Sequence, residues 1–535
     1  MHCKERKSME NNIKSRHVFL YAFLIKPPVE GRKKQKDWFQ KEYLNNSRHW
    51  QPWELSKDAD FLSQADNYMV GQYFNKEARA LFMQSDDKEC RRYTYDKEVL
   101  RDTDYIIVCG GKEYQLPLEE VELFIFHDRV GVLKLQAANT AYEKIADIKI
   151  INDMGRRLSM PFLPRDGDAF NKDCYILCAD KLGLKRRSGE ACIIDFREEA
   201  EGWEEITPQL SLYEKAPLFI YALLAGEFGS QQRTYPKASE LRKGEDLQSL
   251  IDDRMYLCSL IKDDNLSSVI MNEFENKEKK ILDMVEDEET FYALAFADNG
   301  DATCQNMRMR NALLKKAFYM RWTDLGTLYS VTNSAFLCIT ANDPDGEKNL
   351  PNSVYRPFIK EYVLIAILVL AQKLSITDFS ERAAQSAGGA GKVGRLSDRQ
   401  IDDITELHES YVDWSNKEYL LEVTEQEQGV DIYKLLREQL SVDVHMKKLR
   451  EQLQDLYAVA NVNQGIKLNH LAGLLAVTAI LTDIVVNLRN FFINEGDKLT
   501  SDCYTGIMLF LFSVIIVCSI WLFRRKIRKE KCVSR

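Results

Sequence analysis

The sequence predicts an α/β (α+β) N-terminal cytosolic domain followed by a helical domain, a long stalk helix and two C-terminal transmembrane helices. Three observations support this fold class. Short β-branched and aromatic runs, bounded by Gly, Pro, Asp or Lys, alternate with helical stretches in the N-terminal half. Further along the chain, apolar residues recur at the spacing of a helix. Near the C-terminus, two apolar runs are each long enough to cross a bilayer.

Apolar runs in the N-terminal half predict the strands of a cytosolic α/β domain over residues 1–265, the candidate ligand sensor. The run from Val18 to Ile25 follows a basic N-terminus and has about the length of a signal-peptide core. Its aromatic content and the lack of a small-residue cleavage site favour a buried strand. The predicted strands are Val18 to Ile25, Tyr105 to Cys109, Val121 to Phe126, Gly131 to Leu135, Tyr175 to Ala179, Cys192 to Phe196 and Leu218 to Leu224.

Helical periodicity predicts a second cytosolic domain over residues 266–384. It covers Ser267 to Asp287, Arg308 to Tyr329 and Pro357 to Ala384. The apolar run Val363 to Leu370 is too short and too closely flanked by charges for a membrane span, so it indicates a buried helix. The small-residue stretch that follows predicts a flexible linker over residues 385–396.

One or more long stalk helices are predicted over residues 397–467. Their spacing fits two alternatives, a helix packed against its own domain or an oligomeric stalk that runs straight into the membrane. The residues on the a and d positions of a heptad are Val442, Met446, Leu449, Leu453, Leu456 and Ala460.

Residues 468–493 and 504–523 predict transmembrane helices 1 and 2, joined by an acidic external loop over residues 494–503. The tail over residues 524–535 is basic, and basic residues favour the cytosolic side of a membrane. Two spans return the chain to its starting side. Both termini and the large head are therefore predicted in the cytosol.

Polar residues within and just after the first span are the candidate pore lining: Thr482, Asp483, Asn487 and Asn490. The last three share one helix face, and polar groups in a membrane normally face a bundle interior or an aqueous path. One hairpin cannot enclose a pore, so this prediction requires several copies around an axis. Such oxygens suit a divalent cation such as Mg²⁺ as the transported or regulatory ion. The alternative is that these residues are solvated at the external interface.

Composition and motifs narrow the function classes. The net charge of −9 gives no overall basic character, so direct binding of DNA or RNA is not expected. The twelve cysteines include only one closely spaced pair, Cys174 and Cys178, which favours buried thiols in a reducing cytosol over a metal site. We find no GxSxG, HExxH or P-loop pattern, and we expect a protein that is not an enzyme.

The order of head, long helix, two spans, acidic outer loop and basic tail resembles the CorA family of divalent-cation channels. The family's Gly-Met-Asn signature after the first span is missing, and the stretch Asn487 to Ile493 stands in its place. That departure puts Mg²⁺ selectivity in doubt. Upstream, the sequence is most similar to the CorA-like effectors associated with type III CRISPR systems, through Leu123 to Leu133, Ile151 to Leu158, Asp252 to Met255 and Arg321 to Tyr329.

This resemblance implies a homo-oligomeric effector in the inner membrane, a pentamer or a trimer, surrounded by membrane lipids. A nucleotide second messenger, a conjugate of S-adenosylmethionine with AMP, is implied as the activating ligand. Binding would gate a cation channel or disrupt the membrane. Two alternatives stay open: a constitutive or ion-regulated Mg²⁺ transporter, and a membrane-anchored nucleotide-processing enzyme.

Six residues are candidates for binding such a ligand: Arg156, Arg157, Asp253, Arg254, Arg321 and Trp322. Paired guanidinium groups suit bidentate binding of a phosphate. A carboxylate suits a ribose hydroxyl or an amine, and the indole ring, or the nearby Tyr329, suits stacking with a base. Each also has a structural interpretation: solvated arginines, an Asp-Arg ion pair, or a core tryptophan.

Overall fold

The computed structural model of the protein describes residues 13–26, 39–44, 47–53, 61–83, 90–159, 178–196, 216–225, 242–243, 247–249, 254–275, 288–299, 303–342, 354–388 and 396–493. The chain divides into a first unit, Met1–Arg382 with Glu409–Gln452, and a second unit, Ala383–His408 with Leu453–Arg535. The predicted external loop, second transmembrane helix and basic tail lie outside the described residues.

The first unit is built on a mixed 13-stranded sheet with the order β13-β14-β15-β12-β1-β6-β5-β4-β7-β8. Strands β12 and β15 pair in parallel, and the other neighbours in this order are antiparallel. The strands are β1 Ser15–Ile25, β2 Trp50–Pro52, β3 Cys90–Tyr95, β4 Thr103–Cys109, β5 Lys112–Phe126, β6 Val130–Asn139, β7 Lys181–Arg186, β8 Ala191–Asp195, β9 Ala216–Pro217, β10 Arg242–Lys243, β11 Leu247–Ser249, β12 Tyr256–Lys262, β13 Phe318–Tyr319, β14 Leu328–Val331 and β15 Ala335–Thr340.

Helices fill much of the remaining described chain. A π-helical turn, Phe358–Tyr362, follows the short helical segment Tyr355–Pro357 and leads into the longest helix of the first unit. The α-helices are α1 Phe61–Tyr73, α2 Lys76–Met83, α3 Lys97–Arg101, α4 Ile145–Met154, α5 Leu218–Ala225, α6 Asp264–Glu275, α7 Glu288–Phe296, α8 Met307–Ala317, α9 Val363–Gly388, α10 Asp398–Lys417, α11 Glu427–Gln439 and α12 Val442–Ile493.

Strand β1 lies at the centre of the sheet, and every residue in it is buried. It pairs with β6 along one edge and with β12 and β11 along the other. A strand buried on both faces shows a continuous apolar run without alternation. The buried strand predicted over Val18 to Ile25 is therefore confirmed.

Most of the other predicted strands are also present. Strands β4, β5, β6 and β8 contain the predicted runs to within one residue. The run Tyr175 to Ala179 lies largely outside the described residues, and its last two residues are not in a strand.

The strand predicted over Leu218 to Leu224 is wrong, because these residues form helix α5. Its leucines and alanines are strong helix formers, and Pro217 directly before them suits a helix start. The segment is apolar on nearly every side because it is buried, so its sequence carries no helical period.

The predicted boundary between residues 265 and 266 is not a domain boundary. Strands β12 and β15, on opposite sides of it, pair from Leu257↔Ala335 to Lys262↔Thr340. The helix predicted over Arg308 to Tyr329 ends at Ala317 and is followed by strands and a 3₁₀ turn. Gly326 closes that turn with a φ of 69°, and a Cβ there would lie 2.0 Å from Ser267 Oγ.

Helix α9 is a core helix, as predicted for Val363 to Leu370. The helical stretch Tyr355–Ala387 is long and apolar enough to cross a membrane, but 83% of its most apolar window is buried. The helix continues to Gly388, so the linker predicted from residue 385 is wrong for its first four residues. Residues 389–395 lie outside the described part of the chain.

The core of the first unit includes two apolar clusters of described residues. The larger cluster includes the inward residues Phe19, Tyr21 and Phe23 of β1, together with side chains from α4 and α5. A second cluster joins α6, α7 and α8 to β12 and β15. In the second unit, a smaller cluster of Leu396, Ile401, Ile404 and Ala460 joins α10 to α12.

The predicted heptad residues from Val442 to Ala460 pack against other parts of the same chain. All are buried except Leu456, which is partly buried against the cluster of the second unit. The predicted stalk region consists of α10, α11 and the first part of α12. Of the two alternatives for this heptad, the structure supports packing of the helix against its own chain.

Candidate functional site

The end of helix α4 brings three of the predicted ligand residues together. Arg156 and Arg157 directly follow Gly155, which caps this helix. Arg157 forms an antiparallel β-bridge with Arg254, and Met255 N donates to Arg156 O at 2.7 Å. We call Arg156, Arg157 and Arg254 the arginine cluster. Asp253, the fourth candidate in this region, lies outside the described residues.

Buried partners hold two of these arginines in place. Arg157 Nε donates to Asp153 Oδ1 at 2.7 Å, and Asp153 Oδ2 accepts from Asn299 N at 3.0 Å. Arg156 Nη2 donates to the carbonyl of Ala297 at 3.2 Å. Ala297 has a φ of 50°, a left-handed conformation that is rare for residues with a Cβ. The loop after α7 therefore contacts Arg156 through the Ala297 carbonyl, and it is linked to Arg157 through Asp153 and the Asn299 amide.

The local sequence explains why a turn at this place carries two arginines. A helix C-terminus carries partial negative charge, which favours cations directly after it. Gly155 allows close packing, because a Cβ at this position would lie 2.5 Å from Ile151 O and 2.8 Å from Phe19 Cζ. Tyr105 Oη donates to Gly155 O at 2.6 Å from within the core. The turn that carries the arginines is thus fixed to the sheet.

A buried network of neutral side chains supports the same turn. Asn139 Nδ2 donates to Ser15 Oγ at 2.8 Å. His17 Nδ1 donates to Asn152 Oδ1 at 2.8 Å, because an amide oxygen only accepts. Nε2 of a neutral imidazole then accepts from the Ser15 hydroxyl at 2.9 Å. Burial lowers the pKa of His17 to about 4, which keeps the imidazole neutral. This network ends on Asn152, the residue before Asp153.

Arg321 and Trp322 lie at a different place, against the start of helix α11. Arg321 Nη2 donates to Glu427 Oε2 at 2.5 Å, and Trp322 Nε1 donates to Gln428 Oε1 at 2.7 Å. Trp322 is 39% exposed, so it is not a core residue. Tyr329, the other candidate for base stacking, is buried. Arg321 and Trp322 thus contact α11, whereas Tyr329 belongs to the core.

Sequence reasoning missed several residues that build the site. Asp153 stands four residues before Arg157, the spacing of an ion pair on a helix, and this was the one local signal. The contacts from Asn299, Tyr105 and His17 come from distant segments and leave no such signal. Among the described residues, no group of three or more His, Cys, Asp or Glu side chains is placed to hold a metal ion.

Helix α12 carries the candidate pore-lining residues. Thr482, Asp483 and Asn487 are exposed in the single chain, and Thr482 Oγ1 donates to Thr478 O at 2.7 Å. Asn490 is helical, but its side chain is outside the described part. The helix meets the length and composition of a membrane span up to Ile484, and none of its most apolar window is buried. The exposed apolar residues are Leu468, Leu471, Leu474, Leu475, Val477, Ile480, Ile484 and Val486.

This exposure distinguishes α12 from α9, which is also apolar enough to cross a membrane but is covered by the chain. A long apolar helix that no described part of the chain covers is typical of a membrane-associated segment. Comparison of the chain with known protein families, with curated proteins and with solved structures finds no match in any of the three.

Proposed function

We propose that the protein is a homo-oligomeric CorA-like membrane effector of a type III CRISPR antiviral system. Its cytosolic domain binds a nucleotide second messenger of the S-adenosylmethionine–AMP type, and binding gates a cation channel or disrupts the membrane. The observation that carries this proposal is the arginine cluster, built on a buried turn of a chain that also contains an uncovered apolar helix.

The chemistry of the cluster supports a phosphate-containing ligand. Guanidinium groups bind phosphate oxygens in pairs and do so more tightly than neutral donors. Arg157 and Arg254 are bridged through their backbones, so their side chains belong to one small region. Asp253 directly precedes Arg254 and offers an acceptor for ribose hydroxyls or an amine. A messenger that joins a phosphate to riboses and bases matches this set of groups.

Helix α12 supports the second part of the proposal, that messenger binding gates a channel or disrupts the membrane. Asp483, Asn487 and Asn490 recur on one face of α12, and lipid is a poor environment for that face. Several copies around an axis would turn this face towards an aqueous path. The messenger favours the open arrangement only to the extent that the head binds it more tightly in that state.

Ion flux through reconstituted protein tests the proposal. Full-length protein in proteoliposomes is exposed to the synthetic S-adenosylmethionine–AMP conjugate, and release of entrapped cations is recorded. We expect flux only with the conjugate. The variant Arg156→Ala/Arg157→Ala should bind it about tenfold to a hundredfold more weakly, because two charge-assisted hydrogen bonds are lost.

A matched control removes two positive charges elsewhere in the head. Lys185 lies near the end of β7 and Arg187 in the turn that follows, and both side chains are exposed. Lys185→Ala/Arg187→Ala should respond like the wild-type protein. Flux that does not require the conjugate would contradict the proposal and favour the transporter alternative. Turnover of the conjugate by the solubilised protein would favour the enzyme alternative.

A further inference from the structure

The turn between β5 and β6 has an unusual backbone for its sequence. Arg129 N donates to Phe126 O at 3.0 Å, which closes a tight turn. Its central residues, His127 and Asp128, have φ values of 40° and 62°. Positive φ at both central positions is the geometry of a type I′ hairpin turn, which strongly prefers Asn-Gly or Gly-Gly.

In the neighbouring hairpin, glycines occupy the two central positions of a turn with the same backbone conformation. Between β4 and β5, Gly110 and Gly111 have φ values of 58° and 80°, and no atom lies within 4 Å of a Cβ built on either. His127 and Asp128 adopt a similar conformation although both carry a Cβ, and positive φ is uncommon for residues other than glycine. Asp128 also forms an ion pair with Arg91. The side chains of this turn therefore serve something other than chain reversal.

Two of the turn's side chains reach buried carboxylates on the helical part of the first unit. His127 Nδ1 donates to Glu418 Oε2 at 3.0 Å, and its ring stacks on Phe379 of α9. Arg129 binds both carboxylate oxygens of Asp378 in α9, with Nε donating to Oδ2 at 2.7 Å. The side chains of Glu418 and Asp378 are only 4% and 2% exposed. Removing His127 or Arg129 would deprive a buried carboxylate of part of its charge compensation.

The segment that His127 contacts is connected to the start of the membrane helix. Glu418 O accepts from Gln372 Nε2 of α9 at 3.1 Å. The next residue, Tyr419, donates through its hydroxyl to Asp443 Oδ1 at 2.8 Å. Asp443 lies in the first turn of α12. Glu418 and Tyr419 are thus two adjacent residues that connect His127 to that turn.

Strand β6 connects the turn to the arginine cluster on the other side. It begins at Val130, directly after the turn, and ends at Asn139, which donates to Ser15 in the network that supports α4. Along its length β6 pairs with β1 residue by residue, from Ser15↔Asn139 to Leu24↔Val130. Strand β6 is therefore a continuous, fully paired connection between the turn and that network.

We propose that His127, Asp128 and Arg129 form a coupling turn, which links the sheet that carries the arginine cluster to the helices that lead into α12. This inference rests on the proposed function, because it assigns the turn a role in transmitting messenger binding. The strained backbone places the imidazole and the guanidinium on Glu418 and Asp378. The first turn of α12 follows that contact through Tyr419.

The variant His127→Asn/Asp128→Gly tests this role, because it keeps the turn and removes the contact. Asn-Gly is the preferred pair for this geometry, so the hairpin should form. The melting temperature should fall, because the buried Glu418 carboxylate loses its imidazole partner, but the protein should remain folded at the temperature of the assay. In proteoliposomes, binding of the synthetic S-adenosylmethionine–AMP conjugate should stay within about twofold of wild type, and conjugate-dependent flux should fall roughly tenfold or more. Glu418→Ala, which removes the same contact from the helical side, should have the same effect.

The control is Gly110→Asn, which creates an Asn-Gly turn in the neighbouring hairpin. It should leave binding and flux unchanged. If His127→Asn/Asp128→Gly responds to the conjugate with wild-type flux, or if it loses binding together with flux, the coupling role is wrong. If the wild-type protein shows no conjugate-dependent flux, the proposed function fails, and the coupling role fails with it.

Discussion

Burial of His17 links the site to the stability of the head. Because burial lowers the pKa of His17 from 6.5 to about 4, the unfolded chain takes up a proton at a higher pH than the folded protein does. Stability from this residue is complete above the unfolded pKa and is lost as the pH falls towards 4. Between pH 7 and pH 5, the free energy of unfolding should fall by about 2 kcal/mol through His17 alone.

Thermal or urea unfolding of the detergent-solubilised protein at pH 7 and pH 5 measures this loss. The variant His17→Gln cannot be protonated, so its pH dependence should be smaller than that of the wild type by the same amount. Equal pH dependence in the two proteins would show that the buried imidazole is not the titrating group.

Single residues of the site were predictable where chemistry and sequence neighbours coincide. Arg156, Arg157 and Arg254 were predicted from guanidinium chemistry and an implied ligand, and the structure brings them to one bridge. Arg321 and Trp322 were grouped with them on residue type alone, and they contact α11 instead. The reason is physical, because a residue type states what a side chain can bind but not which distant segment it meets.

Continuous apolar runs in the sequence predicted where buried elements lie, but not always whether each is a strand or a helix. Strand β1 and helix α9 are both continuous apolar runs. Aromatic residues favoured a strand for the first run, and the helical periodicity from Pro357 to Ala384 favoured a helix for the second. The run in α5 is as short as a strand, and burial on nearly all sides removes the helical period that would identify it. Short fully buried elements therefore need tertiary contacts before their type can be known.

The same substitution should strongly lower the stability of the head when it is made in α9 and should change it little when it is made in α12. Ile365 and Leu368 in α9 are fully buried, whereas Leu475 and Ile480 in α12 are each 60% exposed. Replacing either α9 residue by alanine should lower the free energy of unfolding of the head by about 2–5 kcal/mol, because a cavity remains in the core. Alanine at either α12 position should change it little.

Urea unfolding in detergent, followed by tryptophan fluorescence, distinguishes the two helices, since Trp414 is buried in the first unit. A large loss for Leu475→Ala or Ile480→Ala would mean that α12 packs into the head and is not a membrane helix. A small loss for both α9 variants would mean that α9 is not a core helix.

At the scale of the whole molecule, the division of the chain was the least predictable feature. A change from strand-like to helical periodicity near residue 265 predicted two cytosolic domains, yet β12 and β15 pair across that point. A parallel pair requires a long crossover, and the described part of this one contains helices α6, α7 and α8 and strands β13 and β14. Periodicity reports local structure, so a helical crossover within one sheet has the same signature as a separate helical domain.

The orientation of α12 in the assembled protein leads to the last prediction. If its polar face lines an aqueous path, single cysteines at Asp483 and Asn487 should react with a water-soluble, membrane-impermeant thiol reagent. A cysteine at Leu474, on the opposite face of the helix, should be protected by lipid or by a neighbouring helix. Reaction rates are measured in proteoliposomes with and without the synthetic S-adenosylmethionine–AMP conjugate.

Modification of Asp483→Cys and Asn487→Cys should also change cation flux, because the attached group occupies the path. The conjugate should accelerate both reactions if messenger binding opens that path. Reaction at Leu474→Cys with equal speed would show that α12 has no protected face. Protection at all three positions would place the polar face between helices, where asparagine and aspartate join copies of the chain instead of lining a pore.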